Sequence, residues 1–318
     1  MKIVSIGEVL WDVLGKEEHL GGAPLNFAVH ATRLGHAVFL ISAVGYDERG
    51  NRVLSRMDQL KLDRRYVRRV RGHPTGFVTV KLDEEGRPQF IIHRPAAYDF
   101  AALSTRDLAA IRAWKPDWIY FGTLFQMGPR GRELTRTVMA TCRESRGFYD
   151  VNLRAGCYEP ALVRKLAAAA TVMKLNTEEV REVGTMLGFA AGSEFCRRAA
   201  HEFHLDAVAV TRGACGCALL LGSEYVEATG YAVKVVDAIG AGDAFAAALL
   251  HGIANRWRAI AVADFANRVG ALVASRPGAI PPWSAAEAEA FEATGKQLGA
   301  PPSHGNCHSE RSEESRSR

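Results

Sequence analysis

Short apolar segments rich in Val and Ile recur along the 318-residue chain and alternate with amphipathic segments. The apolar segments are KIVSI (2–6), AVFLISAVG (37–45), DWIYFG (117–122), FYDVN (148–152), TVMKLN (171–176), DAVAVTRG (206–213) and CALLLG (217–222). The amphipathic segments include NFAVHATRLG (26–35), RELTRTVMATCRESRG (132–147) and TEEVREVGTMLG (177–188), with apolar residues at helical spacing and a final glycine. This alternation predicts an α/β fold with a mainly parallel sheet covered by helices.

Residues 76–95 interrupt this alternation, because GFVTVKLD and PQFIIHRP flank the turn-like DEEGR and the first segment alternates apolar with polar residues. This pattern predicts an antiparallel hairpin. Together with residues 9–20 it predicts a small β-sheet lid, formed from about 9–20 and 74–98. The last residues, 301–318, have almost nothing to bury, so we expect a disordered C-terminal tail after one domain over 1–300.

Composition and charge exclude several classes of protein. No apolar run approaches the roughly 18 residues of a membrane span, and MKIVSIGE reaches an acid too early for a signal peptide, so we expect a cytoplasmic protein without a membrane partner. The net charge of +5 comes from the segment 61–73, which carries six bases and one acid. We interpret it as a solvated helix end and strand edge, because no aromatic platform for a nucleic acid accompanies it.

The segment DAIGAGDAF (237–245) places chemistry at a predicted helix start. Gly240, Ala241 and Gly242 would present unobstructed backbone N–H groups at the first turn of a helix from about Asp243 to Asn255. Such an N-terminus attracts anions, and a carboxylate beside it can accept a proton from a hydroxyl that attacks a phosphoryl group. The alternative is a simple helix cap, for which Asp and Gly are common residues.

Two earlier positions are candidates for contacts with a small ligand. In LGGAPLNFA (20–28) the pair Gly21 and Gly22 leads into a helix that carries Asn26 in its first turn, and bare backbone allows close approach. Asp12 follows the first buried strand, near the carboxyl end where open α/β sheets bind ligands. The alternatives are an ordinary loop-to-helix junction and a solvated turn aspartate.

These two motifs together resemble the ribokinase-like (PfkB) family of carbohydrate kinases. The early motif is the GGxxxN pattern of Gly21, Gly22 and Asn26, and the late motif is the D-x-x-G-A-G-D pattern from Asp237 to Asp243. The resemblance extends to about residue 300. It implies a ribokinase-like three-layer α/β/α fold with a mainly parallel central sheet and a small β-sheet lid.

Weaker likenesses to the same family lie on the nucleotide side. DVNLR (150–154) resembles its DxNxR segment, NTEE (176–179) its NxxE motif, TRGACG (211–216) its glycine turn, and ANRVGALVASRPGAIP (266–281) the helix and loop beside adenine. The residues that the resemblance assigns to nucleotide binding are Asn152, Arg154, Asn176, Glu179, Thr211, Gly213, Gly216, Asn267 and Gly278. Strand ends and glycine turns of this kind also occur for purely structural reasons.

The resemblance implies transfer of the γ-phosphate of ATP to a sugar hydroxyl. Asp243 would be the base, with the backbone of Gly240, Ala241 and Gly242 beside it as the anion hole. Mg2+ on the ATP phosphates would be held through water by Asn176 and Glu179. Ala238 stands where the family more often has threonine, which leaves K+ activation through the loop at Asp237 open.

For the sugar, the resemblance implies contacts from Asp12, Gly21, Gly22 and Asn26. Arg94, beyond the hairpin, is a further candidate substrate contact, and its alternative is an exposed strand-edge arginine. GEVLWDV (7–13) and GGAPLNFA, with Pro24, are most similar to the fructokinase branch, so fructose is the expected acceptor. Ribose, 2-keto-3-deoxygluconate and nucleosides stay open. In relatives such a lid often contributes a dimer contact, so the resemblance also implies a homodimer through the lid.

Other classes of protein fit the sequence less well. A nicotinamide-dependent oxidoreductase does not fit, because the G-x-G of Gly240 and Gly242 continues to Phe245, lies late in the chain and follows no βαβ start. The chain also lacks GxxxxGK[ST], and the HRD and DFG elements of a protein kinase. A catalytically silent sugar-binding protein of the same fold stays open, although retention of Asp243 favours catalysis.

Overall fold

All seven predicted apolar segments form strands of one large sheet in a computed structural model that describes residues 1–82 and 88–291. The strands are β1 (Lys2–Ile6), β2 (Leu10–Leu14), β3 (Glu17–Gly21), β4 (Ala37–Gly45), β5 (Val67–Val70), β6 (Gly76–Leu82), β7 (Pro88–Ile92), β8 (Trp118–Gly122), β9 (Arg146–Asp150), β10 (Val172–Asn176), β11 (Ala207–Thr211), β12 (Cys217–Leu221) and β13 (Glu224–Ala228). The α-helices are α1 (Ala23–Arg33), α2 (Glu48–Gln59), α3 (Thr105–Trp114), α4 (Thr123–Gln126), α5 (Pro129–Thr141), α6 (Pro160–Ala168), α7 (Thr177–Leu187), α8 (Ser193–Phe203), α9 (Ala241–Ala254), α10 (Ala259–Ala274) and α11 (Ala285–Ala290).

The large sheet has the strand order β13-β12-β11-β10-β9-β8-β1-β4-β5. Neighbours from β11 across to β5 pair in parallel, whereas β12 and β13 are antiparallel at one edge. The carboxyl ends of the parallel strands therefore meet at one edge of the sheet, which is where α/β proteins bind ligands. The prediction of a mainly parallel central sheet is confirmed.

Two apolar cores lie on opposite faces of this sheet. Alternate residues of one strand enter different cores: Ile3 and Tyr120 join the core that includes α1, α9 and α10, and Val4 and Phe121 join the one that includes α5, α6 and α7. Burial on both faces explains why these strands are almost continuously apolar in sequence. The three-layer α/β/α arrangement is confirmed.

A separate four-stranded lid sheet, with the order β3-β2-β6-β7, comes from the segments that broke the pattern. Strands β6 and β7 pair antiparallel, which confirms the predicted hairpin, and β2 pairs antiparallel with β3 and parallel with β6. The predicted turn at 83–87 and the predicted tail at 301–318 lie outside the described residues.

Alternation along β2 gives the lid sheet two different faces. Leu10 packs with Leu124 on one face, and Asp12, two residues on, shares that face. Trp11 on the other face donates from Nε1 to the Arg49 carbonyl at 3.2 Å, and the Arg52 guanidinium lies 4.1 Å above its ring. The lid is therefore fastened to α2 through Trp11 and turns the face that carries Asp12 toward α4.

Ion pairs reinforce the same junction between the lid and α2. The carboxylate of Glu18, on β3, accepts from Arg49 at 2.5 and 2.9 Å and from Arg52 at 2.5 Å. Its side chain is 19% exposed, and the two arginines, Arg49 first, lower the pKa of Glu18. Partial burial and multiple donors make this pair stronger than an isolated surface salt bridge.

The basic segment 61–73 follows the end of α2 and contains strand β5, at the edge of the large sheet. Its arginines form ion pairs with acids of the same chain: Arg64 with Asp58, Arg65 with Asp63 and Arg68 with Asp107. The interpretation as a helix end and a strand edge is confirmed. Among the described residues no helix is long and apolar enough to cross a membrane.

We predict that Glu18→Ala lowers the free energy of unfolding by about 1 to 2 kcal/mol, because two partly buried guanidinium groups lose their acceptor. The matched control is Glu17→Ala, whose side chain is 79% exposed and which we expect to stay within about 0.5 kcal/mol of wild type. Urea unfolding measures both. Because the pKa of Glu18 is lowered, the difference from wild type should shrink as the pH falls through that pKa. Equal effects of the two substitutions would contradict this assignment.

Candidate active site

The glycine pair at the start of α1 is required by close packing. Gly22 has φ +110°, and a Cβ there would lie 2.5 Å from the Glu8 carbonyl oxygen. A Cβ on Gly21 would lie 2.6 Å from Oδ2 of Asp12. Any larger residue would separate α1 from the loop after β1 and from the lid, so the pair brings Asp12 and the first turn of α1 together.

Asn26 joins the two sequence motifs. Its Nδ2 donates to Oδ2 of Asp243 at 2.8 Å, across a separation of 217 residues. Asn26 is 3% exposed, and its Oδ1 has no hydrogen-bond partner among the described residues. The amide therefore holds the acid with its donor and keeps one acceptor for another group.

Asp243 lies in the first turn of α9, which begins at Ala241, two residues before the predicted start. Gly240 precedes the helix with φ +78°, and a Cβ there would lie 2.2 Å from the Ala279 carbonyl oxygen. Only glycine satisfies both constraints, so the chain can enter the helix while the loop before α11 packs against it. The first N–H groups of a helix have no intrahelical partner, and those of Gly242 and Asp243 are therefore available to an anion.

The electrostatics around Asp243 favour a carboxyl that exchanges protons near neutral pH. Burial, followed by the negative charge of Asp150, raises the pKa of Asp243 to about 7. The hydrogen bond from Asn26 and the charges of Lys174 and Arg154 oppose this rise. A general base works best with a pKa near the working pH, so this environment suits Asp243 to that task.

Four buried polar residues in this part of the fold are not among the predicted site residues, although Asp150 begins the DVNLR segment. Lys174 and Asp150 form a buried ion pair with Nζ to Oδ1 at 3.1 Å, and the Tyr120 hydroxyl donates to Asp150 at 3.0 Å. Glu8, directly after β1, is 3% exposed, and its Oε2 has no partner among the described residues. Lys174 in TVMKLN and Asp150 in FYDVN are charges within strands buried on both faces, a signal that such residues must pair.

Asp12 and Arg154 share the electrostatic neighbourhood of this site. Burial raises the pKa of Asp12, and the charge of Arg154 opposes that rise. Burial also raises the pKa values of Glu8 and Asp243, and the charge of Arg154 opposes both rises, which places its charge near all three acids. Arg154 is exposed, and within the described part of the chain its side chain donates only to the Leu153 carbonyl, at 3.2 Å.

Arg94 is not the exposed strand-edge arginine that the sequence favoured as the alternative. Its side chain is 21% exposed, forms an ion pair with Asp99 through Nη2 and donates from Nη1 to the Leu124 carbonyl at 3.1 Å. That alternative was wrong because Asp99 lies only five residues further on, in a turn that brings its carboxylate back. Contact with a substrate stays a prediction for Arg94.

Asn176 and Glu179 form a reciprocal capping box at the start of α7. The Asn176 side chain accepts from the Glu179 N–H, and Glu179 accepts from the Asn176 and Leu153 N–H groups, each at 2.8 Å. Glu179 therefore ties α7 to the loop of Asn152, whose φ of +39° turns the chain after β9. Each carboxylate oxygen of Glu179 accepts one hydrogen bond from the described residues and so keeps a lone pair, and an oxygen donor set of this kind fits a hydrated Mg2+.

The remaining candidates lie near the ends of β11 and α10. Thr211 ends β11 beside Asn176, and Gly213 and Gly216 follow in a short 3-10 turn with φ +57° and +88°. Asn267 Nδ2 donates hydrogen bonds to the carbonyls of Ala228 and Thr229, at 3.2 and 3.1 Å, and these bonds fix the chain after β13. This contact is structural, and nucleotide binding stays a prediction for Asn267.

Asp237 joins two loops near the anion hole. Its Oδ1 accepts from Ile239 N–H at 2.9 Å and its Oδ2 from Gly278 N–H at 3.0 Å, which holds the loop before α9 against the loop after α10. Gly278 has φ +80°. Both carboxylate oxygens are thus engaged with backbone, and a role of Asp237 in binding K+ stays a prediction.

Comparisons with known proteins agree with this arrangement. The model of the pfkB family carbohydrate kinases matches residues 2–286. An uncharacterized sugar kinase from Pyrococcus horikoshii is 31% identical over 305 residues, covering 89% of this chain and 92% of the relative. Its structure in complex with ATP has a TM-score of 0.73 and covers 87% of this chain and 94% of that one, at 27% identity.

Fructokinases are also similar to the chain. The fructokinase of Escherichia coli is 28% identical over 298 residues, covering 88% of this chain and 95% of the relative. The solved structure of a double mutant of Vibrio cholerae fructokinase, with fructose, ADP and potassium bound, has a TM-score of 0.78 at 26% identity and covers 91% and 97% of the two chains. With its paired glycines, its GAGD helix start and this family match, the chain belongs to the pfkB family of carbohydrate kinases.

Proposed function

We propose that this ATP-dependent sugar kinase phosphorylates fructose, with Asp243 as the general base and the backbone at 240–243 as the anion hole. The observation that carries the proposal is the position of Asp243: held by Asn26 at 2.8 Å, with a raised pKa, in the first turn of α9. The acid and the N–H groups that attract a phosphate come from the same helical turn. A hydroxyl between them is activated on one side and meets its phosphoryl target on the other.

In the proposed step, the Asp243 carboxylate accepts the proton of the sugar hydroxyl. The hydroxyl oxygen forms a bond to the γ-phosphorus, and the bond from that phosphorus to the bridging oxygen breaks, with its electron pair leaving on ADP. Backbone N–H groups of Gly242 and Asp243 would stabilise the charge on the transferring group, by roughly 3 to 4 kcal/mol for each donor in comparable sites. Asp243 then releases its proton to solvent.

Acceptor groups dominate the proposed sugar side of the site. Asp12 offers a carboxylate beside Gly21, and Asn26 Oδ1 and Glu8 Oε2 have no hydrogen-bond partner within residues 1–82 and 88–291. Hydroxyl groups donate to such acceptors, so the set suits a polyhydroxylated ligand. Because an unpaired buried acceptor is costly, the pattern of hydroxyls would set the specificity.

Asn176 and Glu179 would hold Mg2+ through water on the nucleotide side, from their place at the start of α7. Bound Mg2+ supplies positive charge that neutralises the ATP phosphates. K+ activation through Asp237 and a homodimer through the lid stay predictions. Activity titrated with KCl and analytical ultracentrifugation measure them.

Fructose is favoured over other acceptors by the fructokinases among the similar proteins and by the likeness around Pro24. The test is a panel of fructose, ribose, 2-keto-3-deoxygluconate and a nucleoside with ATP and Mg2+, read as ADP formed. NMR of the product then locates the phosphorylated carbon. Turnover that is fastest with fructose supports the proposal, and a preference for another acceptor overturns the fructose assignment. Sugar binding without any ADP formed would support the silent sugar-binding protein instead.

We predict that Asp243→Asn lowers kcat by two or more orders of magnitude, because the variant removes the general base and keeps the shape of the side chain. Circular dichroism and ATP binding should change little. The matched control is Asp58→Asn, an aspartate 57% exposed on α2, which should turn over normally. Near-normal turnover of Asp243→Asn would remove Asp243 from its role.

The same substitution should stabilise the unliganded protein at pH 8. A carboxyl with a raised pKa is ionised at that pH at a cost to the folded state, and this cost grows as the pH rises from the ordinary Asp range to about 7. Asn carries no such cost, so we predict a gain of up to about 4 kcal/mol in the free energy of unfolding. Denaturant titrations at pH 5 and pH 8 measure it. A variant that is less stable than wild type at pH 8 would contradict the raised pKa.

The pH dependence of kcat/KM for the sugar should show an acidic limb with an apparent pKa near 7, because only ionised Asp243 accepts a proton. Asn26→Ala removes a hydrogen bond that favours the ionised form, so its limb should lie at higher pH. Comparison of the two profiles cancels the titration of ATP itself. Superimposable limbs would show that Asn26 does not tune Asp243.

A further inference from the structure

A buried ion pair lies directly behind the anion hole. Lys174 Nζ lies 3.1 and 3.4 Å from the two carboxylate oxygens of Asp150, and the Tyr120 hydroxyl donates to Oδ2 of Asp150 at 3.0 Å. Asp150 is fully buried and Lys174 is 6% exposed. The three residues come from neighbouring parallel strands, β8, β9 and β10, so the rigid sheet fixes their positions.

The ammonium group of this pair reaches the backbone of the anion hole. A Cβ on Gly242 would lie 3.2 Å from Lys174 Nζ, which means that the cation occupies the space beside this glycine. The ammonium is paired with the buried Asp150 carboxylate at 3.1 Å, and the low dielectric of its surroundings strengthens its field at Gly242.

The groups that face Asp243 have opposite effects on its proton affinity. They are Asn26 from α1, Tyr120 from β8, Asp150 from β9, Arg154 from the following loop and Lys174 from β10. Asp150 favours the protonated form, and Asn26, Lys174 and Arg154 favour the ionised form. Lys174 and Asp150 thus act on Asp243 in opposite directions while binding each other.

Stability alone does not account for this pair. Desolvation of two charges costs about as much as their attraction returns, and apolar residues of similar volume often replace a buried pair without loss. The adjoining positions on the same strands, such as Met173 and Tyr149, show that this sheet readily packs large uncharged side chains. A role in the adjacent chemistry would explain why a buried charge pair occurs at this one place.

We propose that Lys174 and Asp150 are positioning residues of this kinase: they hold a fixed cation against the anion hole at Gly242 and set the field in which Asp243 accepts the substrate proton. The inference rests on the proposed function of Asp243 and adds two residues to it. No substrate contact by either residue is needed. Their effect reaches Asp243 and the transferring phosphoryl group through the field.

The test uses the full-length protein with Lys174→Met, Asp150→Asn, the double variant and Lys174→Arg. The Asp243 carboxyl is titrated by NMR of protein labelled with 13C at its aspartate carboxyls, with Asp243→Asn to assign the signal. In parallel, kcat and KM are measured from pH 5 to pH 9. Circular dichroism and Mg·ATP binding show which variants fold, and the double variant remains testable if Lys174→Met alone does not fold, because it leaves no unpaired charge.

Lys174→Met should move the Asp243 titration to higher pH and Asp150→Asn should move it to lower pH. We expect each shift to reach at least about half a pH unit, since nearby charges shift carboxyl pKa values by about 1 to 3 units. The double variant should titrate between the two single variants, yet keep a kcat lowered by at least about tenfold, because the anion hole has lost its cation. Lys174→Arg should restore most of kcat, with KM for the sugar within a few-fold of wild type throughout.

An Asp243 titration that is the same in all folded variants would overturn the inference, whatever happens to their melting temperatures. So would a double variant with wild-type kcat. The NMR titration does not require turnover, so it decides the inference separately from the proposed function. A wild-type protein that phosphorylates none of the alcohols in the panel would contradict the proposed function, and the NMR titration would still decide the inference about Lys174 and Asp150.

Discussion

The hydrogen bond between Asn26 and Asp243 is the contact on which the rest of the site depends. It joins two helices that are far apart in sequence: α1, which follows the glycine pair, and α9, which follows Gly240. Each helix can take its position because the glycine before it has no Cβ to clash with a neighbouring loop, at Glu8 for one helix and at Ala279 for the other. The proposed sugar side and the proposed phosphate side are therefore held together by the hydrogen bond between Asn26 and Asp243. Close packing at Gly22 and Gly240, which have no Cβ, makes this arrangement possible.

Excess negative charge is the second physical feature of this region. Asp12, Glu8 and Asp243 all have pKa values raised by burial, and Lys174 and Arg154 supply only part of the compensation. Such a cluster costs stability in the unliganded protein, and sites that carry chemistry commonly bear this cost. Hydroxyl donors from a sugar and positive charge brought with the nucleotide would relieve it, which links binding to the proton chemistry of Asp243.

Much of the architecture could be predicted from the sequence because it follows from local patterns. Every predicted apolar segment is a strand of the large sheet, the alternation in GFVTVKLD marks a lid strand, and GAG before Asp243 marks the start of α9. The partners of individual side chains could not be predicted, because they depend on strand order and register. Lys174 and Asp150 are 24 residues apart and meet because β9 and β10 are neighbours, and Arg94 is half-buried and paired with Asp99 because of the shape of a single turn.

We propose that phosphoryl transfer takes place between the Asp243 carboxylate and the first N–H groups of α9. The decisive test of this geometry is a crystal structure of the complex with Mg·ADP, aluminium fluoride and the sugar that the acceptor panel selects. Aluminium fluoride mimics the transferring phosphoryl group. We expect the mimic to accept hydrogen bonds from the N–H groups of Gly242 and Asp243, and one sugar hydroxyl to lie within about 3 Å of the Asp243 carboxylate. A mimic bound away from α9, or a sugar whose hydroxyls all lie beyond hydrogen-bonding reach of Asp243, would contradict it.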